Sequence, residues 1–183
     1  AVAIPLWTSF DNATAAMQFV ERTAWIARFN INYALGVDGI SMLFVLLNSF
    51  TTILVVIAAW EVIQDKVSQY LAAFLIMSGL INGVFAATDA ILFYLFFEAM
   101  LIPMFLIIGV WGGPNRVYAA VKFFLYTLLG SLLMLAALIY LYNVTNGSFD
   151  IQDFHRVPLG LTAQTLLFFA FFASFSVKVP MWP

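Results

Sequence analysis

Cysteine is absent from the 183-residue sequence, and histidine occurs once. The first absence excludes disulfides, thiolate metal sites and Cys-ligated iron–sulfur clusters. The second leaves too little imidazole for a haem-binding or His-rich metal protein. Charge is equally scarce: only 9% of residues are Asp, Glu, Lys or Arg, where a soluble domain carries roughly 25%. The seven Lys and Arg are scattered and form no basic patch, which argues against nucleic acid as a partner. What fills the sequence instead is apolar. Hydrophobic residues make up 64% of the chain, with 20 Phe among them, so too little polar surface remains for a water-facing exterior. A soluble fold is excluded, and the lipid bilayer is the expected solvent.

A membrane-spanning helix needs roughly 20 apolar residues, and five runs supply them: 40–60, 70–87, 90–111, 117–142 and 161–182. The expected fold is therefore all-α, a polytopic transmembrane helix bundle, since no period-2 alternation favours a membrane β-barrel. Residues 1–39 are mixed in character, with Pro5, Trp7, Trp25 and Asp38, and read as an extramembrane or interfacial loop. Trp60, Trp111 and Trp182 close the first, third and fifth runs and Tyr70 opens the second, whereas Tyr140 and Tyr142 close the fourth. Aromatic belts at two headgroup levels are what an up-and-down bundle requires. Basic residues divide evenly between the two sides, so the positive-inside rule gives no orientation. The sequence opens at Ala1 and closes on Met181-Trp182-Pro183 at an apolar run, and the expectation is a piece of a longer polypeptide.

Ionisable residues inside apolar runs carry the functional signal, because each costs about 2.5–3.5 kcal/mol at a helix centre. Glu98 lies about 12 Å along the helix that begins at Ala90, with no charged neighbour in its own run. It is expected to face the bundle interior or a water-filled cavity, as a proton-handling carboxyl or as a structural one hydrogen-bonded across helices. Pro103 removes the helical partner of the Ala99 carbonyl beside it, giving either a polar notch or a packing kink. Lys178 sits near the end of the last run, where Pro180 removes the partner of the Ser176 carbonyl. Broken helices with exposed backbone are where transporters place ion sites; the competing reading is a lysine snorkelling to the interface that Trp182 marks. Lys122, about five residues into its run and close to Arg116, favours snorkelling. Thr127, Gly130 and Ser131 form a small-residue patch for close helix approach. His155 reads as a solvated loop residue, and Asp38 in LGVDGIS as a helix N-cap.

Four segments, LGVDGIS, FYLFFEAMLIPMFLIIGVWGG, RVYAAVKFFLYTLLGSLLML and AFFASFSVKVPMWP, in this order and spacing, resemble the M-type membrane subunits of NADH-quinone oxidoreductase, chain 4 of mitochondrial complex I. The resemblance runs from about Trp25 to Pro183. It implies an antiporter-like subunit of fourteen transmembrane helices in inverted five-helix repeats with discontinuous helices, of which this chain is a fragment. By motif, Glu98 matches the glutamate of the family's fifth helix and Lys178 the lysine of its discontinuous seventh. Lys122 matches a basic position in the KFF segment and is carried as a third candidate for proton translocation. Proton translocation through the glutamate and lysine, driven by NADH oxidation elsewhere, is the implied function. NAD, FMN, iron–sulfur clusters and quinone are implied in partner subunits, with no cofactor in this chain. The implied partners are neighbouring antiporter-like membrane subunits and the peripheral arm. The implied location is a bacterial plasma membrane ahead of a mitochondrial inner membrane, with the N-terminal loop periplasmic. Two other readings stand beside it: a subunit of a multi-subunit cation/proton antiporter, and a structural membrane subunit whose charges pair only for assembly.

Overall fold

The computed structural model describes residues 3–181. A short helix α1 (Ala3–Thr8) precedes two antiparallel strands, β1 (Gln18–Ile26) and β2 (Ile31–Val37), joined through a 3-10 turn at Ala27–Phe29. Then follow α2 (Gly39–Ala59), α3 (Val67–Ala86), α4 (Ala90–Ala99), α5 (Leu101–Trp111), α6 (Arg116–Val144), the one-turn α7 (Ile151–Phe154) and α8 (Leu161–Lys178). Taking α4 and α5 as one interrupted helix, five helices among the described residues are long and apolar enough to cross a membrane. The membrane part is thus an all-α bundle with a discontinuous helix. The segment read as a loop differs from expectation: much of it is a β-hairpin. Its strands escape a period-2 reading because the register shifts between Gln18 and Glu21, with Phe19 at φ 53°, and again before Ile26.

Local chemistry explains where the helices begin. The Asp38 side chain accepts from the N–H groups of Ile40 and Ser41, and the Ser41 hydroxyl accepts from the Asp38 N–H, a reciprocal capping box that starts α2. Asp89 starts α4 in the same manner through Ile91 and Leu92. Along the helices, large apolar side chains such as Leu47, Ile57, Leu129, Leu166 and Phe168 lie exposed, as they must where lipid is the surroundings. The buried centre is small and lies where α4 meets α6: Ala90, Phe97, Met134 and Leu138, with Ile31 of the hairpin and Phe149 of the following loop.

Close approach of backbones replaces the missing hydrophobic drive between membrane helices. A Cβ on Gly130 of α6 would stand 2.8 Å from Val177 of α8, and one on Gly83 of α3 would stand 2.7 Å from the Phe96 ring of α4. Polar side chains lock α2 to α3: Asn48 donates to the Ser78 carbonyl (2.9 Å) and to Asn82 Oδ1 (2.7 Å), and Thr52 and Ser78 join hydroxyls at 2.8 Å. The Tyr70 and Trp111 rings meet edge to face at 5.2 Å, and the Trp111 indole N–H donates to the Asp65 carbonyl, tying two connections at one end of the bundle.

Candidate functional site in the interrupted helix

The interruption lies at Met100. The Met100 N–H reaches the Phe96 carbonyl, and the Met104 N–H the Met100 carbonyl, both at a long 3.3 Å, and Pro103 has no N–H to offer Ala99. Pro103 is itself buried. Loosened backbone polarity therefore falls in mid-span, where protein groups or a water-lined cavity must satisfy it.

Lys178 of α8 takes up part of it. Its ammonium donates to the carbonyl of Phe97 at 2.9 Å and stands 4.3 Å from the centre of the Phe97 ring. Residues Phe171, Ser174, Phe175 and Lys178 recur at helical spacing along one stripe of α8. Phe171 packs on the buried centre, Phe175 meets Phe97 edge to face at 6.1 Å, and Lys178 completes the contact with α4. The contact of Gly130 with Val177 holds this stripe against α6. The Lys178 side chain thus reaches across from α8 to α4.

Glu98 follows Phe97 directly. Its polar neighbours are the Ser131 hydroxyl of α6 and, through the field, Lys178; Tyr94, one turn earlier, faces the same serine. Glu98 and Lys178 thus share one neighbourhood without touching: the ion pairs among the described residues are Arg22–Asp150 and Arg156–Asp153. Three buried side-chain atoms among the described residues have no hydrogen-bond partner, and they are Glu98 Oε1, Ser174 Oγ and Ser176 Oγ. Other helical hydroxyls close onto a carbonyl one turn back, as Thr127 does on Phe123 and Thr165 on Leu161. Buried polar groups without partners are rare enough to mark a functional place.

The remaining candidate residues lie elsewhere. Lys122 projects from the exposed side of α6, its ammonium 6.0 Å from the Tyr118 ring centre. His155 is exposed beyond α7. The Ser176 carbonyl, expected to be freed by Pro180, accepts the N–H of Met181 at 2.9 Å. Trp182 lies outside the described residues. Among the described residues no group of three or more His, Asp or Glu could hold a metal ion. Nothing in the sequence marks Phe97, whose carbonyl is free to accept because the helix breaks beside it. Nor did it single out Asn48, Ser78 and Asn82, although three polar residues at helical spacing in two apolar runs are a usable signal.

Residues 87–183, which contain Glu98, Lys122 and Lys178, match the model of the family described as NADH:quinone oxidoreductase/Mrp antiporter, transmembrane. The chain belongs to this family. Within it, the chain is 54% identical over 194 residues to NADH-quinone oxidoreductase subunit M of Rhodobacter capsulatus, covering all of this chain and 37% of that protein. It is 47% identical to NADH-ubiquinone oxidoreductase chain 4 of Arabidopsis thaliana, over 99% of this chain and 37% of that one. Among solved structures, respiratory complex I from Thermus thermophilus with bound NADH superimposes with a TM-score of 0.85 at 32% identity, covering 97% of this chain and 37% of the matched one. The chain spans little more than a third of the length of these relatives, and it is a multi-pass membrane chain of the antiporter type.

Proposed function

We propose that this chain is part of a proton-translocating membrane subunit of NADH-quinone oxidoreductase, M-type, and that Glu98 and Lys178 carry its protons. The observation that carries the proposal is the Lys178 ammonium held at the Phe97 carbonyl, one residue before Glu98 and at the break between α4 and α5. Attraction between a carboxylate and an ammonium is several-fold stronger at low effective dielectric than in water. Closing or opening the Glu98–Lys178 pair therefore changes how firmly the lysine holds its proton, and a conformational signal from elsewhere in the assembly is converted into proton release or uptake. Lys122, on the outward side of α6, stays outside this exchange and reaches toward headgroups.

In this reading the whole subunit has fourteen helices, and its neighbours are other antiporter-like membrane subunits and the peripheral arm. NAD, FMN, iron–sulfur clusters and quinone are bound in those partners. The location is a bacterial plasma membrane; the similarity to a plant chain 4 keeps a mitochondrial inner membrane as the other site. The family's description also covers Mrp antiporters, which favours one second reading, a cation/proton antiporter subunit working without redox partners.

The deciding experiment places Glu98→Gln in the full-length subunit and measures NADH-driven quinone reduction and lumen acidification together in inverted vesicles, with assembly followed on a native gel. Loss of acidification in an intact complex is expected. Unchanged acidification at unchanged assembly overturns the reading. Vesicles that exchange cations for protons without NADH, and lose that exchange in the variant, decide for the antiporter.

A further inference from the structure

One residue holds Lys178 twice. The ammonium bonds the Phe97 carbonyl and also stands over the ring of the same residue, 4.3 Å from its centre. Such a face is the electron-rich side of an aromatic ring, and a cation within about 6 Å of it is attracted, most strongly where water is excluded. Phe97 is 6% exposed. Phe93 stacks on it at 5.7 Å and Phe175 abuts it edge-on at 6.1 Å, so its ring is fixed in place. Glu98, about 100° further round the same helix, keeps one carboxylate oxygen without a partner and makes no ion pair among the described residues. Two cation seats of different chemistry thus lie side by side in the chain. Lysine carries its ammonium on a flexible four-carbon stem with several rotatable bonds.

We propose that Phe97 is a positioning residue: its ring and carbonyl form a cation seat that competes with the Glu98 carboxylate for the Lys178 ammonium and so sets how often the Glu98–Lys178 pair closes. The inference rests on the reading of Glu98 and Lys178 given under Proposed function. No group is consumed in the exchange; the ammonium moves between two acceptors, and the proton it later gives up is the one already counted in translocation.

The test replaces Phe97, in the full-length subunit of the assembled complex, by phenylalanines carrying one, two and three ring fluorines. Fluorine drains the ring face while scarcely changing its volume. Acidification per quinone reduced is expected to fall stepwise with fluorine number, reaching about tenfold at three. Phe97→Leu falls at least as far. A flat series, or one whose order does not follow fluorine number, overturns the seat. The fluorinated series decides alone if the leucine variant fails to assemble. Glu98→Gln separates the two ideas. If it leaves acidification intact, the proton-carrying reading fails, and the seat with it. If it abolishes acidification while the fluorine series is flat, only the seat fails.

Discussion

Two carboxylates nine residues apart on one helical segment are treated in opposite ways. At the start of α4, Asp89 is 2% exposed and accepts N–H bonds from Asn32, Ile91 and Leu92 at 3.0 to 3.1 Å. Around it the Ala90 N–H donates to the Phe149 carbonyl, the Ile151 N–H to the Thr88 carbonyl, and the Thr88 N–H to the Ala34 carbonyl. Hairpin, helix start and the loop after α6 are stitched at one point, with the Arg22–Asp150 pair (3.2 Å) alongside. Glu98, by contrast, has an oxygen with no partner, and its neighbouring cation sits on a backbone carbonyl. A carboxylate whose bonds are all made has one stable arrangement, which suits a clamp. One whose bonds are incomplete has several arrangements close in energy, which suits a group that exchanges a proton.

Asp89→Ala should produce the largest effect. It strips a helix cap and leaves three N–H donors unpaired around a closed site, a loss of about 3 kcal/mol or more from unsatisfied groups and the cap together. Thermal unfolding of the detergent-solubilised complex is the measurement, with early release of the hairpin visible as proteolysis between β1 and β2. Asp89→Asn keeps an acceptor oxygen and should lose less. An alanine variant as stable as the parent would mean that the stitches at Thr88, Ala90 and Ile151 hold the junction without it.

Ser174→Ala probes the other side of the contrast and should behave in the opposite sense. Its hydroxyl is buried and makes no bond, so removing it costs no interaction and relieves a desolvated polar group. Stability should stay level or rise by up to about 1 kcal/mol. A drop of that size instead would show that the hydroxyl is satisfied in the native assembly, and that the incomplete bonding is confined to Glu98 and Ser176.

The two regions also differ in how far the sequence announces them. The all-α membrane bundle is legible because long apolar runs bounded by Asp38, Asp89 and Gly112-Gly113-Pro114 admit few other folds. Glu98 and Lys178 stand out as lone ionisable groups in such runs, and the fold brings them into one neighbourhood. What is not legible depends on tertiary context. The hairpin hides behind its shifted registers. Asp89 is a lone acid between two apolar runs, and only the return of residues 149–151 to its side makes it a buried junction. Phe97 is one of 20 Phe until the break at Met100 and the stripe of α8 place a lysine over it.

The smallest effect compares two helix caps through pH. In Asp89, burial pushes the carboxyl above the ordinary carboxylate range, while the N–H groups of Asn32, Leu92 and Ile91 and the charge of Arg22 act against it. In Asp38, the Ser41 N–H leads in pulling the carboxyl below that range; burial opposes it, and the Ser41 hydroxyl and Ile40 N–H assist. A carboxyl raised by folding contributes stability that is full below its unfolded pKa and lost as pH rises through the folded one. A lowered carboxyl contributes above its unfolded pKa and loses the contribution as pH falls through the folded one. On acidification from about pH 7 toward pH 3, the deficit of Asp89→Asn relative to the parent should therefore widen, and that of Asp38→Asn should shrink. Each change should stay below about 1 kcal/mol, since the Asp38 cap is only partly shielded from solvent. Melting temperatures of the two variants across that range check the sign. Parallel slopes would mean that Asp89 is wetter than its contacts imply, and would move it from the clamped side of the comparison to the exchanging one.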